Sequence, residues 1–130
     1  MANEPLQATV RQQPSVAIID LRGEINAFAE PVLNAAYADA ESRGAELILL
    51  NFTDVDYINS TGIALIVSLL AHARKNHRRL VAYGMSDHYV EIFRITRLVD
   101  FMNVFPDEAS ALAEEPGGVI QPANSRTSGE

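Results

Sequence analysis

Apolar and polar positions alternate along the first part of the chain in a way that is typical of short strands. Thr9–Arg11 and Val16–Leu21 read as two strands separated by a turn at Gln12–Ser15, where Pro14 fixes φ and lacks an N–H donor. Gly23 then interrupts the pattern, and we expect the second strand to end before it.

The spacing of apolar residues next changes to that of one helical face. The positions are Phe28, Val32, Leu33, Ala36, Tyr37 and Ala40. Pro31 lies in the first turn of this predicted helix, where it is tolerated, and Gly44 lies just beyond its end. The uninterrupted apolar run Leu47–Leu50 predicts a strand covered on both faces.

A loop is predicted to follow Asn51–Asp54 and to lead, through Asn59 and Ser60, into a second helix over Thr61–Asn76. The first half of this helix, Ile63–Val67, is apolar nearly all round and is therefore expected to be deeply buried. The next predicted elements are a strand at Leu80–Gly84 and a helix capped by Ser86-Asp87 that runs to Thr96. Val90, Ile92 and Phe93 of this helix are expected to face inward. A short edge strand at Phe101–Phe105 and a final helix that starts at Pro106-Asp107-Glu108 complete the chain of elements.

The predicted order is β-β-α-β-α-β-α-β-α, which contains crossovers that require parallel neighbouring strands. We therefore predict an α/β fold in which a mixed, mostly parallel sheet of about four to five strands packs with about four helices. Residues 1–7 are expected to form a flexible lead-in, 8–115 the domain, and 116–130 a disordered tail, because the tail is rich in Gly, Pro, Ser, Asn and Glu.

Composition narrows the classes of function. The chain of 130 residues carries a net charge of −7, which argues against direct binding to nucleic acid, and it has no apolar stretch long enough for a membrane span. It has no cysteine and no signal-peptide pattern at the N terminus, which suits a cytoplasmic location. One basic cluster, Arg74, Lys75, His77, Arg78 and Arg79, is interpreted as helix-end cations, with a docking patch for an acidic partner as the alternative.

Ser60 is the residue that first suggests catalysis, but the chain lacks its partners. A nucleophilic serine needs a base, and His72 would lie about 18 Å along the same helix at 1.5 Å per residue. His77 lies still farther along, and nothing in the sequence brings His88 to Ser60. His72 and His77 are five residues apart, not the four that suit two metal ligands on one helical face, and the only lysine, Lys75, is in no phosphate-binding loop. The sequence therefore predicts no enzyme, no metal site and no cofactor.

The junction between the loop and the second helix remains as the candidate site. Its simplest interpretation is structural: Asn59 or Ser60 caps the helix, and Gly62 allows close packing of the first turn. A functional interpretation of the same residues stays open beside it.

Four stretches of the sequence, within residues 8–113, carry a resemblance to the STAS domain, and above all to the free-standing bacterial anti-sigma factor antagonists. These are Leu21–Asn26, Asn51–Gly62, Phe93–Leu98 and Phe105–Leu112. The second stretch resembles the family's phosphorylation loop, which is usually written Asp-Ser-Ser-Gly or Asp-Ser-Thr-Gly. Asn59 and Asn26 stand where relatives carry acidic residues, and Arg97 stands where many carry Gly.

The resemblance implies an antagonist that, when unphosphorylated, binds an anti-sigma factor with serine kinase activity and releases a sigma factor. It implies that the kinase switches this binding off by phosphorylating Ser60, that a serine phosphatase reverses the reaction, and that Asn26, Asn59, Thr61 and Gly62 form part of the partner surface. The alternative is a STAS scaffold or ligand-sensing module in a regulatory complex that phosphorylation does not control.

Overall fold

A computed structural model describes residues 4–113 of the chain. Its elements are β1 (Gln7–Gln13), β2 (Val16–Ile25), α1 (Glu30–Ser42), β3 (Leu47–Ile58), α2 (Ser60–Lys75), β4 (Arg79–Tyr83), α3 (Asp87–Ile95), β5 (Val104–Phe105) and α4 (Glu108–Leu112). Short 3-10 turns at Ala27–Ala29 and Leu98–Asp100 precede α1 and follow α3. The predicted order of elements and the predicted α/β fold class are confirmed.

The five strands form one sheet in the order β1-β2-β3-β4-β5. β1 pairs with β2 in antiparallel orientation, and every later pair is parallel. Each parallel pair is joined by a helix, as such a connection requires. Since the strands follow one another across the sheet, right-handed connections bring α1, α2 and α3 to the same face.

The sheet separates two apolar cores. The larger core packs α1, α2 and α3 on one face, around residues such as Ile19, Leu50 and Phe93. The smaller core lies on the other face, where Ala111 of α4 packs against Ile18 and its neighbours. The run Leu47–Leu50 contributes to both cores and is buried throughout, which confirms the prediction of a strand covered on both faces. None of the helices within residues 4–113 has the length and apolar character needed to cross a membrane.

Three strands are longer than the sequence predicted: β1 is extended at both ends, to Gln7–Gln13, and the next two at their carboxyl ends. β2 continues through Gly23 to Ile25, and β3 continues to Ile58 through the segment predicted as a loop. The parallel ladder between them persists, with two register shifts, as far as the pair Ile25 and Ile58. Gly23 does not end the strand. Its φ of +107° is one that glycine adopts readily, and the carbonyl of Pro5 leaves no room for a Cβ at this position.

Burial on the helical side also differs from the prediction at two places. Phe28 lies in the 3-10 turn and not on the buried face of α1, and its side chain is 87% exposed. The first half of α2 is only partly buried: Ile66 is in the core, whereas Ala64 is exposed and Val67 is 38% exposed. The outer side of α2 thus presents exposed apolar side chains, Ala64 and Val67, beside polar ones such as Ser68.

The packed structure begins earlier than predicted. Leu6 is buried in the core and Gln7 already belongs to β1, so residues 4–7 are not a loose lead-in. The N–H of Glu24 donates to the carbonyl of Glu4, at 3.1 Å, which attaches this segment to β2. The predicted disordered tail, 116–130, lies outside the described residues.

The basic cluster has a structural role in part. Arg74 and Lys75 lie in the last turn of α2, where cations interact favourably with the negative end of the helix dipole, as the simpler interpretation predicted. Arg78 forms an ion pair with Glu41 of α1 at 3.1 Å and also donates to the carbonyl of Ala45.

A polar network on the α4 face connects elements that are far apart in the chain. Arg11 of β1 donates to Asp20 of β2 at 2.5 and 2.8 Å and to Glu108 of α4 at 2.7 Å. Tyr83 of β4 donates to the same Glu108 carboxylate at 2.5 Å, and Asn51 of β3 donates to Asp20 at 2.7 Å. The hydrogen bonds from Arg11 hold the pKa values of both carboxyl groups below their ordinary range.

We expect Arg11→Gln to destabilise the domain by about 1 kcal/mol at pH 7, a value that allows for solvent screening of these half-exposed charges. Because both carboxyl pKa values are lowered on folding, their contribution is present above the ordinary values of 3.8 and 4.5 and is lost as the pH falls below them. Urea unfolding at pH 7 and at pH 3 measures this, and the gap between wild type and variant should narrow at pH 3. A gap that is equal at both pH values would contradict the assignment.

Candidate functional site

The first turn of α2 is packed directly on the carboxyl end of β2. The N–H of Asn59 donates to the carbonyl of Ile25 at 3.2 Å. A Cβ added at Gly62 would lie 2.1 Å from that same carbonyl oxygen, a distance that no side chain can occupy. Glycine at position 62 is therefore a steric requirement, as the structural interpretation of the junction predicted.

Asn59 is the cap of α2. Its Oδ1 accepts a hydrogen bond from the N–H of Gly62 at 2.8 Å, and its backbone carbonyl accepts the first helical bond, from Ile63, at 2.9 Å. Ser60 and Thr61 follow as the first two helical residues, and both are exposed. Within residues 4–113 the Ser60 hydroxyl makes no hydrogen bond, and the N–H groups of Ser60 and Thr61 have no acceptor. The structure thus decides between the two predicted caps in favour of Asn59.

Asn26 caps the 3-10 turn Ala27–Ala29 in a similar way, at the end of β2. Its Oδ1 accepts from the N–H of Phe28 at 2.9 Å, and its carbonyl accepts from Ala29 at 2.9 Å, which closes the 3-10 turn. Its Nδ2 donates to Oε1 of Glu24 at 2.9 Å. A neutral amide suits this position, because a carboxylate there would face Glu24 at hydrogen-bond distance.

The structure brings four of the five residues predicted from the sequence, Asn59 to Gly62, into one turn, and the Ile25 carbonyl joins the fifth, Asn26, to that turn. Sequence reasoning missed the exposed aromatic side chains beside them, Phe28 and Tyr57, since Phe28 fits the helical spacing of α1. The signal that could have located Phe28 is Asn26, a cap residue five positions before Pro31, which leaves room for a separate turn before the helix.

Acidic side chains are concentrated at this end of the sheet. Asp54 and Asp56 are exposed on β3, Glu24 lies on β2 and Glu30 begins α1. Arg22, paired in register with Asp54, is the nearest cation on these strands. The carboxyl ends of β2 and β3 therefore carry exposed aromatic side chains, Phe28 and Tyr57, together with acidic residues.

Comparison with known proteins decides the family. The model of the STAS domain matches residues 7–111. The anti-sigma-B factor antagonist of Staphylococcus aureus is 31% identical over 86 residues, which cover 66% of this chain and 80% of that protein. The chain belongs to the STAS domain family. Its resemblance to the anti-sigma factor antagonists, predicted from the sequence motifs, is confirmed by these relatives.

Solved structures agree with the STAS fold. An anti-sigma factor antagonist from Mycobacterium paratuberculosis superposes with a TM-score of 0.71 at 16% identity, over 82% of this chain and 91% of that one. The Bacillus cell fate determinant SpoIIAA in its phosphorylated form superposes with a TM-score of 0.63 at 20% identity, over 81% and 96% of the two chains. At these identities the likeness concerns the fold.

Two of the three histidines of this STAS domain, His72 and His88, contact side chains other than Ser60. The ring of His72 lies 5.2 Å from that of Tyr37 and His72 Nε2 is 3.7 Å from Glu41. His88 stacks edge-on against Tyr89, whose hydroxyl accepts from the N–H of Ile58 at 3.0 Å, so α3 begins closer to the site than the sequence indicated. Among the described residues no histidine is hydrogen-bonded to Ser60, and none belongs to a group of three potential metal ligands.

Measurements of stability can test whether Asn59, and not Ser60, caps α2. We expect Asn59→Ala to cost about 1 kcal/mol of unfolding free energy, because the Gly62 N–H loses its acceptor. Ser60→Ala should change it by less than about 0.5 kcal/mol, since the hydroxyl has no bond to lose. Urea unfolding of the two variants measures the difference, and equal losses would show that Ser60 also supports the helix.

The steric requirement at position 62 gives a second expectation. Gly62→Ala should destabilise the domain by about 3 kcal/mol, because its Cβ would collide with the backbone of β2. Gly44→Ala is the control: nothing lies within 4 Å of its Cβ position, so only the φ of +80° is unfavourable and a loss of about 1–2 kcal/mol is expected. Thermal melting of both variants provides the test. A Gly62→Ala chain as stable as the control would mean that α2 can shift away from β2.

Proposed function

We propose that this chain is an anti-sigma factor antagonist whose binding is switched off by phosphorylation of Ser60. In the unphosphorylated form it binds an anti-sigma factor with serine kinase activity, and the sigma factor is released. The observation that carries the proposal is the exposed, unbonded Ser60 hydroxyl at the start of α2, next to Asn59, which performs the capping in its place. A serine needed for the cap could not be modified without cost to the fold.

The start of α2 is chemically suited to a phosphorylated residue. A phosphoryl group adds about −1.5 to −2 charges and three strong acceptors. The N–H groups of Ser60 and Thr61 lack acceptors within the described residues, and the positive end of the helix dipole lies at the same place. The modification is therefore compatible with the folded domain, and its effect falls on the partner.

The neutral side chain of Asn59 favours this modified state. A carboxylate about 5 Å from the phosphate would repel it by about 3 kcal/mol at an effective dielectric near 20. Asn59 accepts a hydrogen bond from Gly62 just as a carboxylate would, but it adds no charge. Asn26 is committed to Glu24, so of the two amides only that of Asn59 is proposed to lie against the phosphate.

The partner surface in this proposal consists of Asn26, Asn59, Thr61, Gly62 and the outer side of α2. Val67 and Ala64 on that side are apolar and exposed, and burying them against a partner would remove apolar surface from water. Gly62 is buried and acts by holding the turn in place, whereas Thr61 is exposed beside the switch residue.

The rest of the assignment follows from this switch. The chain performs no reaction of its own, a serine phosphatase restores the binding form, and the site of action is the cytoplasm. Phosphorylation is a property of the related SpoIIAA, which has been solved in a phosphorylated form.

The experiment is to incubate the purified chain with ATP and with each anti-sigma factor serine kinase of the same organism, and to map the modified residue by mass spectrometry. We expect stoichiometric modification at Ser60, none in Ser60→Ala, and modification that is still confined to Ser60 in Thr61→Ala. Titration calorimetry with the same kinase should show binding of Ser60→Ala and a loss of more than a hundredfold on phosphorylation, which corresponds to about 3 kcal/mol.

Full modification of Ser60→Ala at Thr61 would contradict the choice of residue. Undiminished binding of the phosphorylated chain would contradict the switch. If no kinase of the organism either binds or modifies the chain, the STAS scaffold or ligand-sensing module without phosphorylation control replaces this proposal.

A further inference from the structure

Phe28 is the most exposed large apolar side chain in the described part of the protein, at 87%. A phenylalanine exposed to this extent contributes little to the free energy of folding, because that contribution comes from removing its surface of about 150–250 Å² from water. Of the other apolar residues on the predicted helical face, Val32 is half-buried and the rest are buried, for example Leu33 and Tyr37 in the core. The position of Phe28 outside that face therefore calls for a role outside the folded domain.

The backbone holds Phe28 in this position from both sides. Its own N–H is bonded to Asn26 Oδ1, and the next N–H, that of Ala29, is bonded to the Asn26 carbonyl. Ala29 is itself buried in the core, and Pro31 lies in the first turn of α1. The ring thus projects from a short turn whose neighbours are fixed, and little conformational entropy is lost when a partner covers it.

The turn that carries Phe28 lies beside the proposed switch. The carbonyl of Ile25 accepts from Asn59, and the 3-10 turn Ala27–Ala29 contacts α2. On the other side of the ring is an open hollow of about 300 Å³, lined by Pro5, Leu6 and Val32 as well as by Phe28 itself. The exposed ring therefore lies between this hollow and the turn that contacts α2.

Charge identifies the kind of surface that fits this one. Two exposed acidic residues accompany Phe28: Glu30 lies two positions along the chain, at the start of α1, and Glu4 lines the hollow beside the ring. A partner that receives the ring must therefore carry basic side chains around an apolar socket, since electrostatic complementarity selects among partners of similar shape.

We propose that Phe28 is the anchor residue of the partner interface, inserted into an apolar socket bordered by Arg and Lys on the anti-sigma factor kinase. This inference rests on the proposed function and adds the residue that determines affinity and specificity. Aromatic anchors near the centre of an interface carry a large share of its binding energy. Asn26 acts as a positioning residue, because its cap orients the turn.

The experiment compares Phe28→Ala with the wild-type chain, using the kinase found to phosphorylate Ser60 and calorimetry in its ADP-bound state. We expect the affinity to fall at least about thirtyfold, with the melting temperature of the variant unchanged within about 1 °C, because the ring is almost entirely exposed. Phe28→Leu should recover part of the affinity, since it retains an apolar group for the socket.

Phe101→Ala is the matched control. Phe101 is also an exposed phenylalanine, at 55%, but it lies at the other end of α2, where the guanidinium of Arg74 is 5.6 Å from its ring. We expect its replacement to leave the kinase affinity within about twofold. The double substitution Glu4→Gln and Glu30→Gln should slow association several-fold at low salt and reduce its dependence on salt, because these are the acidic groups that accompany Phe28.

Equal affinities of Phe28→Ala and wild type would overturn the inference while leaving the switch at Ser60 intact. A wild-type chain that neither binds nor is modified by any kinase would overturn both proposals together. Sedimentation of the free chain tests whether a second copy of this chain, and not the kinase, covers the ring. A dimer that dissociates on Phe28→Ala would show this and would also overturn the inference.

Discussion

The contact between the first turn of α2 and the carbonyl of Ile25 is the constraint on which the functional end of this protein depends. Without a side chain at position 62, the helix start can approach the end of β2 until its backbone lies against that carbonyl. The same oxygen accepts the N–H of Asn59, so one atom sets both the position and the beginning of the helix. Close packing of this kind leaves a single arrangement, because a protein interior has little spare volume.

This constraint separates stability from function at neighbouring positions. Gly62 and Asn59 are fully engaged in building the turn, while Ser60 and Thr61, between them, are exposed. The result is a rigid frame that presents a free hydroxyl. Rigidity matters for a binding switch, since a surface that is already ordered loses little entropy when the partner arrives. Asn26 repeats the arrangement at the end of β2, where an amide cap supports a turn and an aromatic ring projects from it.

The opposite face of the sheet has a different purpose. There charged hydrogen bonds join α4 to the sheet and connect the strands β1, β2 and β4. They are formed by Arg11, Asp20, Tyr83 and Glu108. A helix of five residues has little intrinsic stability, and these bonds together with the burial of Ala111 hold it on the sheet. Changes in this network affect the fold and its pH dependence, and they lie on the face away from the turn that carries Ser60.

The sequence by itself determined the order of the elements, the mixed sheet and the position of the turn before α2, because periodicity, caps and crossovers are local signals. It also indicated the family through motifs in the correct order. Only the tertiary structure decided that the segment before Asn59 continues as a strand, because its hydrogen bonds go to β2, a partner that local polarity does not reveal. Tertiary packing likewise decided that Asn59 is the cap and that Phe28 and the outer side of α2 remain exposed. Spacing shows which side chains share a face, but burial depends on whether another element covers that face.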